Sequence, residues 1–217
     1  MLDNGLDGFN VTLPHKEKII DHLTSLDNSA AVVGAVNCVY RNVGYNTDWT
    51  GFLRALKMKQ IDLRGRSCLL LGAGGAARSV AHALIATGSS SISVLNRSKE
   101  RANRLLSWIK ERMPKNAPSD TIEVVINCTP IGMWPDTKRL PIENSLIDGA
   151  TILIDTIYNP LETEWLKRGR KRGATTLGGL EMFIAQGLAS NDIWFGHNIS
   201  EKIDIKKIRK RMESALC

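Results

Sequence analysis

The sequence predicts an α/β protein: a Rossmann-type, doubly wound parallel sheet with a second, smaller α/β part. Three observations carry that prediction. From Arg66 onward, strand-like and helix-like stretches alternate, which puts parallel strands under covering helices. One of those strands, Leu69-Leu70-Leu71, runs directly into Gly72-Ala73-Gly74-Gly75 and then into a helix-forming run. Ahead of the polar connection at 60–65, the pattern differs: short β-branched segments and two helical stretches. At 217 residues the chain has the length of one large domain or two small ones, and 43% apolar residues suffice for a core.

Taken in order, Gly8-Phe9-Asn10-Val11-Thr12 reads as a strand that Pro14 ends, with a helix expected over 14–23. Lys16 then falls in the first turn of that helix, where the dipole favours anions rather than a cation. That conflict makes Lys16 a functional candidate, although a plain surface lysine fits the local pattern too. Residues 31–41 read as one strand or two short ones around Gly34-Ala35-Val36-Asn37. Asn37 interrupts an apolar run, and a buried amide needs partners: it braces a turn or holds a ligand hydroxyl. Asn46 or Thr47 can cap a helix from about residue 49 to 59, which leaves Asp48 at its N-terminus, as a candidate or simply as a helix-start carboxylate.

Beyond 60–65 the expected strands are 67–71, 91–95, 122–127, 151–155 and 174–177, with helices at 76–87, 98–112 and 160–171. Pro160 lies just inside one expected helix start and Gly173 just past its end. The tail holds an apolar helix over 180–195, with Gln186 as a polar interruption, and then a basic helix. Polar and glycine-rich stretches follow the strand ends: Gly72-Ala73-Gly74-Gly75, Asn96-Arg97-Ser98, Cys128-Thr129-Pro130-Ile131-Gly132-Met133, Tyr158-Asn159 and Gly178-Gly179. In an open α/β sheet these ends line the ligand crevice.

The glycine turn has the chemistry of a dinucleotide site. Gly72 permits the sharp turn, Gly74 removes the side chain where a pyrophosphate approaches, and Ala77 keeps helix and strand close. The helix start at Gly75-Ala76 then offers free N–H groups and a positive dipole end. Asn96-Arg97 selects the cofactor. NAD enzymes carry an acid near this point for the ribose 2′-hydroxyl, whereas Arg97, followed by the Ser98 hydroxyl, suits the 2′-phosphate of NADP.

Composition excludes other classes. The net charge of +7 favours anionic ligands, but Lys202, Lys206, Lys207, Arg209, Lys210 and Arg211 crowd one segment that reads as a solvated face, with no nucleic-acid recognition motif. No stretch has the length of a membrane span, and Met1-Leu2-Asp3-Asn4-Gly5 has the pattern of neither a signal nor a transit peptide. Cys38, Cys68, Cys128 and Cys217 show no metal or redox spacing, and His15, His22, His82 and His197 are scattered, so no metal is expected. A reducing cytoplasm is the simplest compartment.

Together these segments resemble shikimate dehydrogenases. The resemblance rests on Gly8-Phe9-Asn10-Val11-Thr12-Leu13-Pro14-His15-Lys16, Gly34-Ala35-Val36-Asn37, Asn46-Thr47-Asp48-Trp49-Thr50-Gly51 and Gly72-Ala73-Gly74-Gly75-Ala76-Ala77. It continues through Asn96-Arg97, Asn127-Cys128-Thr129-Pro130-Ile131-Gly132-Met133, Asp155-Thr156-Ile157-Tyr158-Asn159-Pro160 and the stretch from Gly178-Gly179-Leu180 to Gln186. It implies a partial substrate-binding domain over 1–59, an NADP-binding domain over 60–178, and C-terminal helices over 179–217 that return to the substrate domain. It further implies reversible reduction of 3-dehydroshikimate to shikimate with NADPH, a step of aromatic amino-acid biosynthesis. Lys16 and Asp48 align with the acid/base pair, and Thr12, Asn37 and Gln186 with residues holding substrate hydroxyl and carboxylate groups. Tyr158 and Gly179 align near substrate and nicotinamide, while Ala73, Thr129 and Met133 belong to cofactor-contacting loops. One departure stands out. The family carries a further strand–helix–strand portion before the segment matching Gly8, with a Ser-x-Ser motif for the substrate carboxylate, so the substrate domain reads as N-terminally incomplete. That leaves two alternatives beside the active enzyme, a non-catalytic NADP-binding remnant or a quinate/shikimate dehydrogenase. A homodimer is compatible with all three.

Overall fold

The computed structural model describes residues 6–113, 115, 117, 119–142, 150–196 and 198–216. Met1-Leu2-Asp3-Asn4-Gly5, His197 and Cys217, named above, lie outside the described residues. The chain forms two sheets. The first has the order β1-β3-β4-β2, built from β1 (Gly8–Asn10), β2 (Ser25–Leu26), β3 (Cys38–Tyr40) and β4 (Val43–Tyr45). Its β1–β3 and β3–β4 pairs are antiparallel and its β2–β4 pair is parallel. Helix α1 (Asn28–Val33) lies within this segment, and helix α2 (Asp48–Met58) leads away from it.

The second sheet is fully parallel, with order β6-β5-β7-β8-β9: β5 (Ser67–Leu71), β6 (Ser91–Leu95), β7 (Val124–Asn127), β8 (Ile152–Asp155) and β9 (Thr175–Leu177). Helices α3 (Gly75–Thr87), α4 (Lys99–Arg112) and α5 (Glu164–Lys171) connect its strands. Side chains alternate across it, as the strand period requires. Cys68 and Leu70 join a core with α2, α3 and α4, while Leu69 and Leu71 face the opposite core with Trp165 and Leu166 of α5. After β6 the chain crosses to the far side of β5, so the switch point where such sheets bind ligands falls between β5 and β7. Helices α6 (Leu180–Phe195), α7 (Ile199–Lys202) and α8 (Ile205–Leu216) complete the chain. Trp194 of α6 donates its indole N–H to the Val39 carbonyl at 3.0 Å, which ties this helix back to the first sheet. Among the described residues no helix is long and apolar enough to cross a membrane.

Three expected elements differ. No α-helix forms over 14–23; turns lead to a 3₁₀ helix at Lys18–His22, and Lys16 precedes it. The Lys16 carbonyl, which an α-helix would direct to residue 20, accepts instead from Val36 N at 2.8 Å. The first three residues of 31–41 are helical, as the end of α1. Asp27 caps α1 by accepting from Ser29 N at 2.9 Å, and Gly34, at φ 69°, closes it in the left-handed region that glycine adopts freely. Helix α5 begins at Glu164, not Pro160, because Thr163 supplies the cap, its hydroxyl accepting from Leu166 N. Strands β7, β8 and β9 are also one or two residues shorter than expected at their starts.

Candidate active site

At the carboxyl edge of the parallel sheet, β5 turns at Gly72 (φ 109°), where any Cβ would sit 3.1 Å from the Cys128 carbonyl oxygen. Gly74 is extended, and the space a side chain would fill there is empty of protein within 4 Å. Helix α3 starts at Gly75 with no side-chain cap, so the amides of Gly75, Ala76 and Ala77 have no intrahelical acceptor and face the crevice end. Ala73 forms the shoulder of this turn, half-buried against the core of α2 and α3. An open cradle and a bare helix N-terminus fit a pyrophosphate.

At the end of β6, Asn96 donates its side-chain N–H to the Ser98 carbonyl at 3.0 Å. Ser98 caps α4, its hydroxyl accepting from Arg101 N at 3.3 Å. Arg97 lies between them, exposed and outside any ion pair among the described residues. At the end of β7, Asn127 accepts from both the amide (3.0 Å) and hydroxyl (2.7 Å) of Thr129, so that hydroxyl is already committed to shaping the loop. Met133 follows, half-buried, with its amide bonded to Pro130 O at 3.2 Å. Asn127 also donates to Asp155 Oδ1 at 3.1 Å, and Asp155 accepts from Ile157 N and the Thr163 hydroxyl. Burial pushes the Asp155 carboxyl up to about 7 despite those bonds. At the end of β8, Tyr158 stacks on Phe183 with centroids 4.0 Å apart. Gly179 opens α6 directly against the Thr156 carbonyl, where a Cβ has no room, and donates its amide to Ile157 O at 2.9 Å.

The first sheet brings a second set of groups to this edge. Lys16 Nζ lies 2.6 Å from Asp48 Oδ2, and their side chains are 16% and 5% exposed. The stem of Lys16 runs over Gly75, the first residue of α3. Asp48 opens α2, and its amide is taken by Asn46 Oδ1 at 3.1 Å, so the side chain of Asn46 caps the helix while Thr47 occupies the cap position. Asn37 is buried and braced at both ends. It accepts from Thr47 N at 2.6 Å and donates to the Thr47 hydroxyl (2.8 Å) and to Gln186 Oε1 (2.9 Å). Gln186 donates in turn to Phe183 O at 2.9 Å.

The structure therefore joins Lys16 with Asp48 and Gly75, and Asn37 with Gln186. It leaves Thr12 exposed two residues beyond β1 with no hydrogen bond from its hydroxyl among the described residues, and it keeps Asn96, Arg97 and Ser98 one strand away from Gly72. Sequence reasoning passed over Ser190, which accepts from Asn10 Nδ2 at 2.9 Å and donates to Gln186 O at 3.1 Å. Its position four residues after Gln186 on one helix face was the available signal.

Among known proteins, the likeness covers both parts of this edge. Residues 1–39 match the family model for a shikimate dehydrogenase substrate binding domain, and residues 54–131 match that for shikimate / quinate 5-dehydrogenase. The NADP(+) shikimate dehydrogenase of Shouchella clausii is 41% identical over 98% of this chain and 82% of its own length. A shikimate dehydrogenase crystallised in complex with NADP+ superposes with a TM-score of 0.86 at 32% identity, over 99% of this chain and 78% of that one. The Thermus thermophilus shikimate 5-dehydrogenase, in complex with NADP(H) and shikimate, gives a TM-score of 0.83 at 32% identity, over 99% and 81%.

Proposed function

The chain belongs to the shikimate dehydrogenase family, and from that membership we propose that it catalyses the reversible NADPH-dependent reduction of 3-dehydroshikimate to shikimate. The observation that carries the reading is the Lys16–Asp48 pair, 2.6 Å apart and seated on the first turn of α3. Bound NADPH supplies the hydride for a ketone carbon, so negative charge develops on the ketone oxygen. A cationic Lys16 Nζ stabilises that oxygen and delivers its proton. Asp48 orients Nζ through its close contact and, with its other oxygen, accepts from a neighbouring substrate hydroxyl.

Around that centre, Thr12, Asn37, Tyr158 and Gln186 are assigned to the substrate. Gly72, Ala73, Gly74, Gly75 and Ala76 are assigned to the pyrophosphate, Asn96, Arg97 and Ser98 to the adenosine end, and Thr129, Met133 and Gly179 to the nicotinamide end. The substrate part is 1–59, the cofactor part 60–178, and the helices of 179–217 return Gln186 to the substrate side. Lys16→Ala is expected to lower kcat by roughly 10²-fold, the range of a positioned acid–base group, while fluorescence titration gives an unchanged NADPH affinity. Turnover near that of the parent would remove Lys16 from the reaction.

A further inference from the structure

Helix α3 does more than present its N-terminus. Gly75, Arg78, Ser79 and His82 fall at i, i+3, i+4 and i+7, which is one face of the helix, and every one of them meets the part of the chain before residue 60. A Cβ on Gly75 would stand 2.9 Å from Lys16 Cβ. Arg78 Nε donates to the Val33 carbonyl at 2.7 Å, at the C-terminal end of α1, where a cation satisfies orphan carbonyls and the dipole together. Its guanidinium packs on Gly34 and lies 5.2 Å from the Trp108 ring centroid of α4. Asn46 Nδ2 donates to the Ser79 hydroxyl at 3.0 Å. His82 meets Trp49 edge to face at 4.9 Å.

Two of these contacts lead to the acid–base pair. From Val33 the chain turns through Gly34 and Ala35 to Val36, whose amide holds the Lys16 carbonyl at 2.8 Å. Asn46, gripped by Ser79 and by its own bond to the Ala35 carbonyl (2.8 Å), holds the Asp48 amide at 3.1 Å. We propose that Arg78 and Ser79 are positioning residues: they fix Lys16 and Asp48 relative to the N-terminus of α3, so the helix that receives the cofactor phosphates also sets the acid–base geometry. This rests on the reading of Lys16 and Asp48 given above.

The test uses the full chain carrying Arg78→Ala, Arg78→Lys or Ser79→Ala. The first readout needs no turnover: the rate at which acetic anhydride acetylates Lys16, by mass spectrometry at fixed pH, relative to the exposed Lys99 in the same sample. The expected result is about threefold faster relative labelling of Lys16 in Arg78→Ala and a smaller gain in Ser79→Ala, with Arg78→Lys, which keeps one donor for Val33, close to the parent. The second readout is kinetic: kcat falls about 10-fold in Arg78→Ala while the KM for NADPH stays within about twofold. Should Arg78→Ala fail to fold, Ser79→Ala and Arg78→Lys carry the labelling comparison. Unchanged relative labelling of Lys16 in folded Arg78→Ala, or in folded Ser79→Ala where Arg78→Ala does not fold, overturns the proposal. Lys16→Ala decides the acid–base reading separately, so failure of one is not mistaken for failure of the other.

Discussion

Lys16 shows how a single side chain is placed by distant residues. Its carbonyl is held by Val36, its stem rests on Gly75 and its ammonium is paired with Asp48. The residue type and its misfit with a helix dipole are visible in the sequence, but the helix itself is absent. What seats Lys16 is tertiary, and no local pattern encodes its bond to the distant Val36 amide. The bareness of Gly75 is part of that seat. Gly75→Ala is expected to displace the Lys16 stem and lower kcat about 10-fold, since small misplacements of a reacting group carry large rate penalties. Unchanged kcat in a folded variant would mean that the stem moves aside freely. Arg97 is the opposite case. It is exposed and outside any ion pair among the described residues, and its place just after β6 is the one the sequence pattern anticipates. Arg97→Ala is expected to weaken NADPH about 10-fold, the scale of a lost charged hydrogen bond, and NADH much less. Equal losses for the two cofactors would remove the 2′-phosphate role.

At the scale of elements, the strands Ser67–Leu71 and Ser91–Leu95 and the helix Leu180–Phe195 have the limits the pattern predicts, because apolar runs and glycine stops define them locally. Helix α1 is where the local pattern misleads. Ala31-Val32-Val33 looks apolar and β-branched, as a strand would, whereas the Asp27 cap and the left-handed Gly34 decide for helix. Helix α5 shows two start signals in competition. Thr163 prevails over Pro160 because its hydroxyl serves the helix amide and Asp155 at once. That link gives β8 a measurable signature. The Asp155 carboxyl is raised by burial from 3.8 to about 7, so the folded state holds its proton more tightly than the unfolded chain does. The stabilisation is complete below the unfolded value of 3.8 and is lost as pH rises through about 7. Denaturant midpoints across that window should fall with rising pH, and Asp155→Asn should flatten this component of the profile. An identical pH profile in the two proteins would contradict the raised value.

For the whole molecule, the alternation after residue 66 is enough to anticipate a parallel sheet and to bring its strand ends to one edge. It does not give the strand order, nor that α6 returns Gln186 to within 2.9 Å of Asn37 across 149 residues of chain. Such closures depend on packing between α2, α6 and the first sheet, which leaves no periodic trace. They are also what ties α6, which follows the parallel sheet in the chain, to the segment that precedes that sheet. The direct measurement is shikimate-dependent reduction of NADP+ by this 217-residue chain, beside NADPH titration of the same preparation. The expected result is NADP+ reduction that requires shikimate, is lost in Lys16→Ala, and is much weaker with NAD+. Tight NADPH binding with no shikimate-dependent reduction would contradict it and leave a cofactor-binding protein without this chemistry.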